Sequence, residues 1–154
     1  MSTIWVEVLE QVNDEWKWVP KSEVYDTIKD FSIDENNLNY EICRMGQLMV
    51  QYGDLAARME ANLKRKEESV KYVQARIAGA ERSQAEASGT KMSENKLVEL
   101  VTVNAQYQQI LSELHVLRAD ALKAKHWWAS IIKKADLLNA LTFRQNAELK
   151  RMPG

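Results

Sequence analysis

From Leu100 to Leu138 an apolar side chain recurs at alternating steps of three and four: Leu100, Val103, Tyr107, Ile110, Leu114, Leu117, Ala121, Ala124, Trp128, Ile131, Ala135, Leu138. A spacing that averages three and a half residues marks one face of an α-helix, since a strand would alternate every second residue. The whole chain of 154 residues holds only five Gly and two Pro, which predicts long uninterrupted helices in place of a turn-rich β structure.

A second stripe precedes the first. Ile42, Met49, Ala56, Leu63, Val70 and Ile77 interleave with Met45, Tyr52, Met59, Lys66 and Val73, a heptad seam with Lys66 as its single polar member. Gly46 and Gly53 lie beside it, and each costs about 1 kcal/mol in a helix interior relative to Ala. Close approach of a neighbouring helix is the expected compensation. Residues 79–92, small and polar around Ser88-Gly89-Thr90, read as the loop between the helices, with Ser93 as cap of the second and Glu94 in its first turn.

Helices of these lengths would reach about 60 and about 75 Å at 1.5 Å per residue. Two helices that long enclose too little interior to cover a face widened by Leu111, Trp127, Ile132 and Leu141. Either the second helix breaks, with residues 115–126 as the candidate stretch, or copies of the chain cover it. Self-association is the favoured expectation, with Leu114, Leu117, Trp128, Ile131 and Leu138 as candidate contacts. The fold class expected is mainly α: two long amphipathic helices in an oligomerising hairpin, residues 23–154, behind a small N-terminal segment, residues 1–22.

That segment is acidic and Trp-rich. Ile4, Val6 and Val8 alternate with Trp5, Glu7 and Leu9, and Glu15 to Val19 alternates again after Asn13-Asp14, which reads as a β-hairpin closed by Pro20. Trp5, Leu9, Val12 and Trp16 also fit a helical spacing.

The formal net charge of −1 conceals an asymmetry. Residues 1–35 carry nine acids and three bases, residues 36–93 nine bases and seven acids, and residues 94–154 nine bases and six acids. An acidic head on a basic body directs attention to polyanions and acidic partners. Hydrophobic residues at 45% exclude wholesale disorder, and no apolar run suffices for a membrane span. No basic region followed by an apolar stretch opens the chain, so no secretory signal is expected, and the lone Cys43 fits a reducing cytoplasm as a packed thiol.

No phosphate loop, nucleophile motif or metal-ligand spacing is present; His115 and His126 lie three helical turns apart. A non-enzymatic protein without cofactor or metal is therefore expected. The first helix does segregate its charges. Arg44, Arg58 and Arg65 recur with Gln51 and Tyr72 on one flank, Lys64 and Lys71 sit beside them, and Asp54, Glu60, Glu67 and Glu68 lie round the other side. Arg58, Lys64, Arg65, Lys71, Tyr72 and Arg76 thus form a candidate stripe for a phosphate backbone with an aromatic platform. The alternative is a solvated coiled-coil flank pairing with acids of a neighbour. A second candidate cluster is Lys123, Lys125, His126 and Trp127, near Arg118, Lys133 and Lys134, with Trp128 assigned to the core.

Ile33-Asp34-Glu35-Asn36-Asn37-Leu38-Asn39-Tyr40-Glu41 resembles the Ile-Asp-x-x-x-Leu-x-Tyr-Glu signature of the UvsY family, recombination mediators of T-even bacteriophages. Ile28-Lys29-Asp30-Phe31 before it is similar too, and Gln74-Ala75-Arg76-Ile77 resembles the family's Lys-Ala-Arg-Leu element, which contributes to single-stranded DNA binding. Gln74 stands where the family has Lys, so only Arg76 carries over directly, with Lys71 one turn earlier. The resemblance covers roughly residues 24–150. It implies DNA recombination and repair in the cytoplasm of a phage-infected bacterial cell. The implied partners are single-stranded DNA, further copies in a ring-like homo-oligomer, a RecA-like recombinase loaded by the protein, and the single-strand-binding protein coating the DNA. The competing expectation is a structural or adaptor coiled coil without a nucleic-acid role.

Overall fold

The computed structural model describes residues 1–152. Its elements are β1 (Ser2–Val12), β2 (Glu15–Tyr25), α1 (Thr27–Phe31), a 3-10 turn (Glu35–Asn37), α2 (Leu38–Ala87), α3 (Glu94–Val103) and α4 (Ala105–Arg151). The mainly helical fold with an N-terminal β-hairpin is the one expected. Among the described residues no helix is long and apolar enough to cross a membrane. The chain divides into two compact units, one of Met1–Met59 with the chain from Asp120 onward, the other of Glu60–Ala119.

In the first unit Asn13 and Asp14 turn the hairpin with φ of 52° and 63°, between the paired Val12 and Glu15. These left-handed values match the type I′ turn whose twist suits a hairpin, and Asn and Asp tolerate them better than other side chains. Pro20 does not close the hairpin. It lies inside β2 opposite Glu7, in a non-hydrogen-bonded pair where its missing N–H costs no ladder bond. β2 continues beyond residue 22 to Tyr25. Alternation puts Ile4, Val6 and Tyr25 on the buried face and leaves Trp5, Leu9, Trp16, Trp18 and Val24 exposed on the other. The edge of β1 is covered by α4: the Trp5 N–H donates to Asp120 Oδ2 at 3.1 Å, and Lys123 Nζ donates to the Thr3 carbonyl at 2.9 Å.

Beneath the hairpin the rings of Tyr25, Phe31, Tyr52 and Trp127 pack with centroids 5.2–6.2 Å apart. A polar network adjoins them. Lys134, 2% exposed, reaches from α4 to Glu41 Oε2 at 2.6 Å and donates to the Asp30 carbonyl at 2.9 Å. Asp30 accepts from Arg44 at 2.6 Å and from the Tyr52 hydroxyl at 2.8 Å. Glu41 Oε1 accepts from the Asp34 N–H at 3.3 Å. Burial pushes the Glu41 carboxyl up, but the hydrogen bonds from Lys134 and Asp34 and the charges of Lys134 and Arg44 outweigh it and leave it below its ordinary value. Burial, with the hydrogen bond to Asp30, pushes the Tyr52 phenol up.

The helical seams differ in detail from the heptad pattern. In the first unit Ile42 and Met49 are exposed, while Leu48 and Leu55 are buried with Met45, Tyr52 and Met59. In the second unit the covered face continues through Asn62, Lys66, Val70, Val73 and Ile77. Counted from Glu41, ten steps across 36 residues give 3.6 residues each, the period of a straight helix, so the stripe drifts off a heptad register. Gly53 lies against the ring of Trp128, where an added Cβ would meet it at 3.3 Å, whereas Gly46 faces open space. Cys43 is exposed, not packed.

The loop is shorter than residues 79–92. Alanines at 78, 80, 85 and 87 favour helix, and α2 runs to Ala87. It ends in a Schellman cap: Gly89, at φ 70°, donates to the Glu86 carbonyl, and Thr90 donates to that of Ala85. Ser93 caps α3 through Lys96 N–H. The break in the second helix falls at Asn104, not within 115–126. The β-branched run Val101-Thr102-Val103 weakens the helix there, and Asn104 Oδ1 accepts from the N–H groups of Gln106 and Tyr107, capping α4. The break shifts the face, so Leu97 and Val101 are buried and Val103 is 70% exposed.

Removing one partner of a buried ion pair strands the other charge, at a cost of about 3–5 kcal/mol. Lys134→Met is therefore expected to lower stability by that order in urea titration, and Glu41→Leu with Lys134→Met to restore most of it; a single variant as stable as wild type would refute the role. Glu41 also sets a pH dependence. Its folded carboxyl gives up its proton more readily than the unfolded one, so stability is full above the ordinary carboxylate range and is lost as pH falls through and below it. Urea midpoints between pH 7 and pH 3 should fall accordingly, and by less in the double variant.

Candidate nucleic-acid interface

Arg58, the first member of the predicted stripe, is occupied within the first unit. Its NH1 and NH2 donate to the two oxygens of Glu23 at 2.8 and 3.1 Å, and its Nε donates to Asp54 at 2.8 Å. The hydrogen bond from Arg58, reinforced by one from Tyr25, holds Glu23 below its ordinary value against the effect of burial. A bidentate guanidinium with both carboxylates satisfied is a clasp between β2 and α2. Arg58 leaves the candidate interface.

The rest of the stripe lies on α2 in the second unit. Tyr72 is 69% exposed, and Lys71 beside it is exposed with no ion pair among the described residues. Lys64, two turns earlier, meets Glu60 at 3.4 Å with both side chains in solvent. Arg65 donates to Asn62, and Arg76 donates to Gln106 while remaining exposed. At 100° per residue, Arg65, Tyr72 and Arg76 share one flank and Lys64 and Lys71 lie on the crest beside it. Glu60 and Glu67 adjoin the lysines on the far side, and the exposed Glu68 falls between the lysines and the arginines, so the acids are interspersed with the bases and not segregated as the spacing suggested. Two bases form ion pairs between α2 and α4: Lys66 meets Glu113 at 3.1 Å, and Arg118 meets Glu67 at 3.3 Å. The hydrogen bond from Gln109, then that of Lys66 and its charge, hold the Glu113 carboxyl low despite burial.

The second cluster does not assemble as a surface. Trp127 is buried in the aromatic core, and Trp128, assigned to the core, is the half-buried ring over Gly53. Lys123 is engaged with the Thr3 carbonyl and lies 5.6 Å from the centre of the Trp127 ring. Lys134 is sealed in the network, leaving Lys125, His126 and Lys133 exposed. The candidate contacts Leu114, Leu117, Ile131 and Leu138 are already buried in the isolated chain, so they serve its own core. Val116, Leu122, Ile132, Leu137, Phe143 and Leu149 are the large apolar residues of α4 left uncovered. Among the described residues no group of three or more His, Cys, Asp or Glu is placed to hold a metal ion.

Comparison with protein-family models, curated proteins and solved structures finds no match to this chain.

Arg58→Ala is expected to cost about 1 kcal/mol or somewhat more of stability, the scale of a partly exposed charge-assisted contact, and to leave any DNA affinity unchanged. Urea denaturation measures the first and fluorescence anisotropy the second. Weakened DNA binding by a variant of native stability would return Arg58 to the interface.

Proposed function

We propose that this chain is a non-catalytic recombination mediator that binds single-stranded DNA as a homo-oligomer and helps load a RecA-like recombinase onto DNA coated with single-strand-binding protein. The observation that carries DNA binding is the exposed, unpaired Lys71 beside the exposed Tyr72, on the crest and flank that also carry Lys64, Arg65 and Arg76. A cation and a ring one residue apart suit a phosphate and its base. The Lys64–Glu60 pair does not block the surface, because an exposed pair contributes about 0–1 kcal/mol and yields to a phosphate that releases counterions. Mediation and recombinase loading rest on the resemblance at Ile33–Glu41 and Arg76. Self-association is supported by the uncovered apolar residues of α4 and by the exposed Trp5, Trp16 and Trp18. In an oligomer each modest site is repeated, and effective concentration converts weak contacts into avidity.

The ion pairs Lys66–Glu113 and Arg118–Glu67 favour a second possibility, a structural coiled-coil protein whose bases serve its own helices. Titration of labelled oligo-dT at two salt concentrations separates the two. A mediator's affinity falls with salt, with a log–log slope of about −0.7 for each phosphate contacted on a single strand. Lys64→Glu with Lys71→Glu should weaken binding at least ten-fold at unchanged oligomer size. Equal binding by this variant and wild type would remove the stripe from the interface, and no binding by wild type would leave the structural protein.

A further inference from the structure

In the second unit a groove of about 450 Å³ runs between α2 and α3. Ala75 and Ala78, one turn apart, give it a flat wall on α2; Leu97, Val98 and Val101 give an apolar wall on α3, and Tyr107 of α4 adds an aromatic side chain to the lining. At one place on the rim Arg82 is bound by Glu94 at 2.9 Å, so that pair adds no net charge. Lys71, without an ion pair among the described residues, and Gln74 with its amide also line the groove. Val98 is 61% exposed, so the apolar wall is open to solvent.

A free anion has no use for apolar walls, and an aliphatic side chain has no use for an unpaired ammonium and an amide. A ligand with a flat apolar body, hydrogen-bonding edges and an adjoining negative charge uses all of them, and the volume lies within the range of small-molecule sites. We infer that this groove receives a nucleobase of single-stranded DNA, its adjoining phosphate on Lys71 and its edge on the Gln74 amide. The inference rests on DNA binding as proposed above and adds that the contact is to bases as well as to backbone. It makes Val98 and Ala78 base-contacting residues, although neither carries charge.

The test uses the full chain and two dye-labelled strands of equal length and charge, oligo-dT and an abasic deoxyribose-phosphate strand, compared by anisotropy at one salt concentration. Wild type should bind oligo-dT about ten-fold more tightly than the abasic strand, the scale of one well-stacked base. Ala78→Phe fills the groove without altering charge and should abolish that preference while leaving abasic affinity, salt slope and oligomer size unchanged. Val98→Gln, on an exposed wall where folding is not at stake, should reduce it. Lys71→Gln should weaken both strands and shift the slope by about 0.7. Iodouracil placed in the strand should crosslink to Tyr107. If wild type binds both strands equally, or if both groove variants keep the preference, the groove does not hold a base although DNA binding stands. If wild type binds neither strand, DNA binding itself has failed. A change in oligomer size on Ala78→Phe with base preference intact would assign the groove to a second copy and overturn the inference.

Discussion

Lys134 is the residue on which the first unit turns. An ammonium removed from water is viable only where charge and hydrogen bonds replace its hydration, and Glu41 and the Asp30 carbonyl do so here. Those two partners lie on different elements, α2 and α1, and Lys134 lies on α4, so one buried charge ties three segments at one point. Asp30 extends the tie through Arg44 and Tyr52, and Tyr52 passes it into the ring cluster with Tyr25 and Trp127. With Lys134 facing inward, Trp127 and Ile131, two and one turns earlier on α4, must face inward as well, and Trp128 is turned toward Gly53. The swap of the two tryptophans relative to the apolar count thus has a polar cause.

This is also where the sequence was least legible. Counting apolar residues treats Lys134 and Glu41 as surface, and the seam then passes through Ala135 and Trp128 in place of Lys134 and Trp127. The helices themselves were readable, as were the hairpin and the Ser93 cap, because each depends on local chemistry: few Gly and Pro, a period near 3.5, Asn-Asp between alternating runs. The break at Asn104 had a local signal, three β-branched or weak helix formers before a good N-cap, but the unbroken apolar count ran over it. The 79–87 stretch shows the opposite error. Small residues suggested a loop, while their high alanine content favoured helix, and the true stop was the left-handed Gly89.

For the candidate interface, sequence spacing located the basic flank on α2 but could not tell a free cation from a committed one. Arg58 and Lys71 look alike along the helix. They differ because Glu23, thirty-five residues away, reaches Arg58 through the pairing of β2 with β1, and among the described residues no acid is ion-paired with Lys71. Long-range pairing is what a one-dimensional count omits, and it sorts the stripe into a structural clasp and an accessible crest. The groove was beyond reach for a similar reason: its far wall is set by where α3 ends and α4 begins.

The Ile33–Glu41 stretch behind most of the family resemblance and the residues of the proposed DNA surface lie in different units, and only Arg76 serves both arguments. Asp30, the Asp34 N–H and Glu41 belong to the junction that receives Lys134, so the Ile33–Glu41 signature describes how this unit is built. Lys71, Tyr72 and Arg76 lie in the other unit, where the likeness is short and Gln74 departs from it. The proposal of DNA binding therefore rests on the accessibility and charge of the α2 crest, and exchanging Gln74 for Lys is the informative gain-of-function probe. A second cation one turn beyond Lys71 should steepen the salt slope if the crest follows a phosphate backbone, and should change nothing if the crest is only solvated surface.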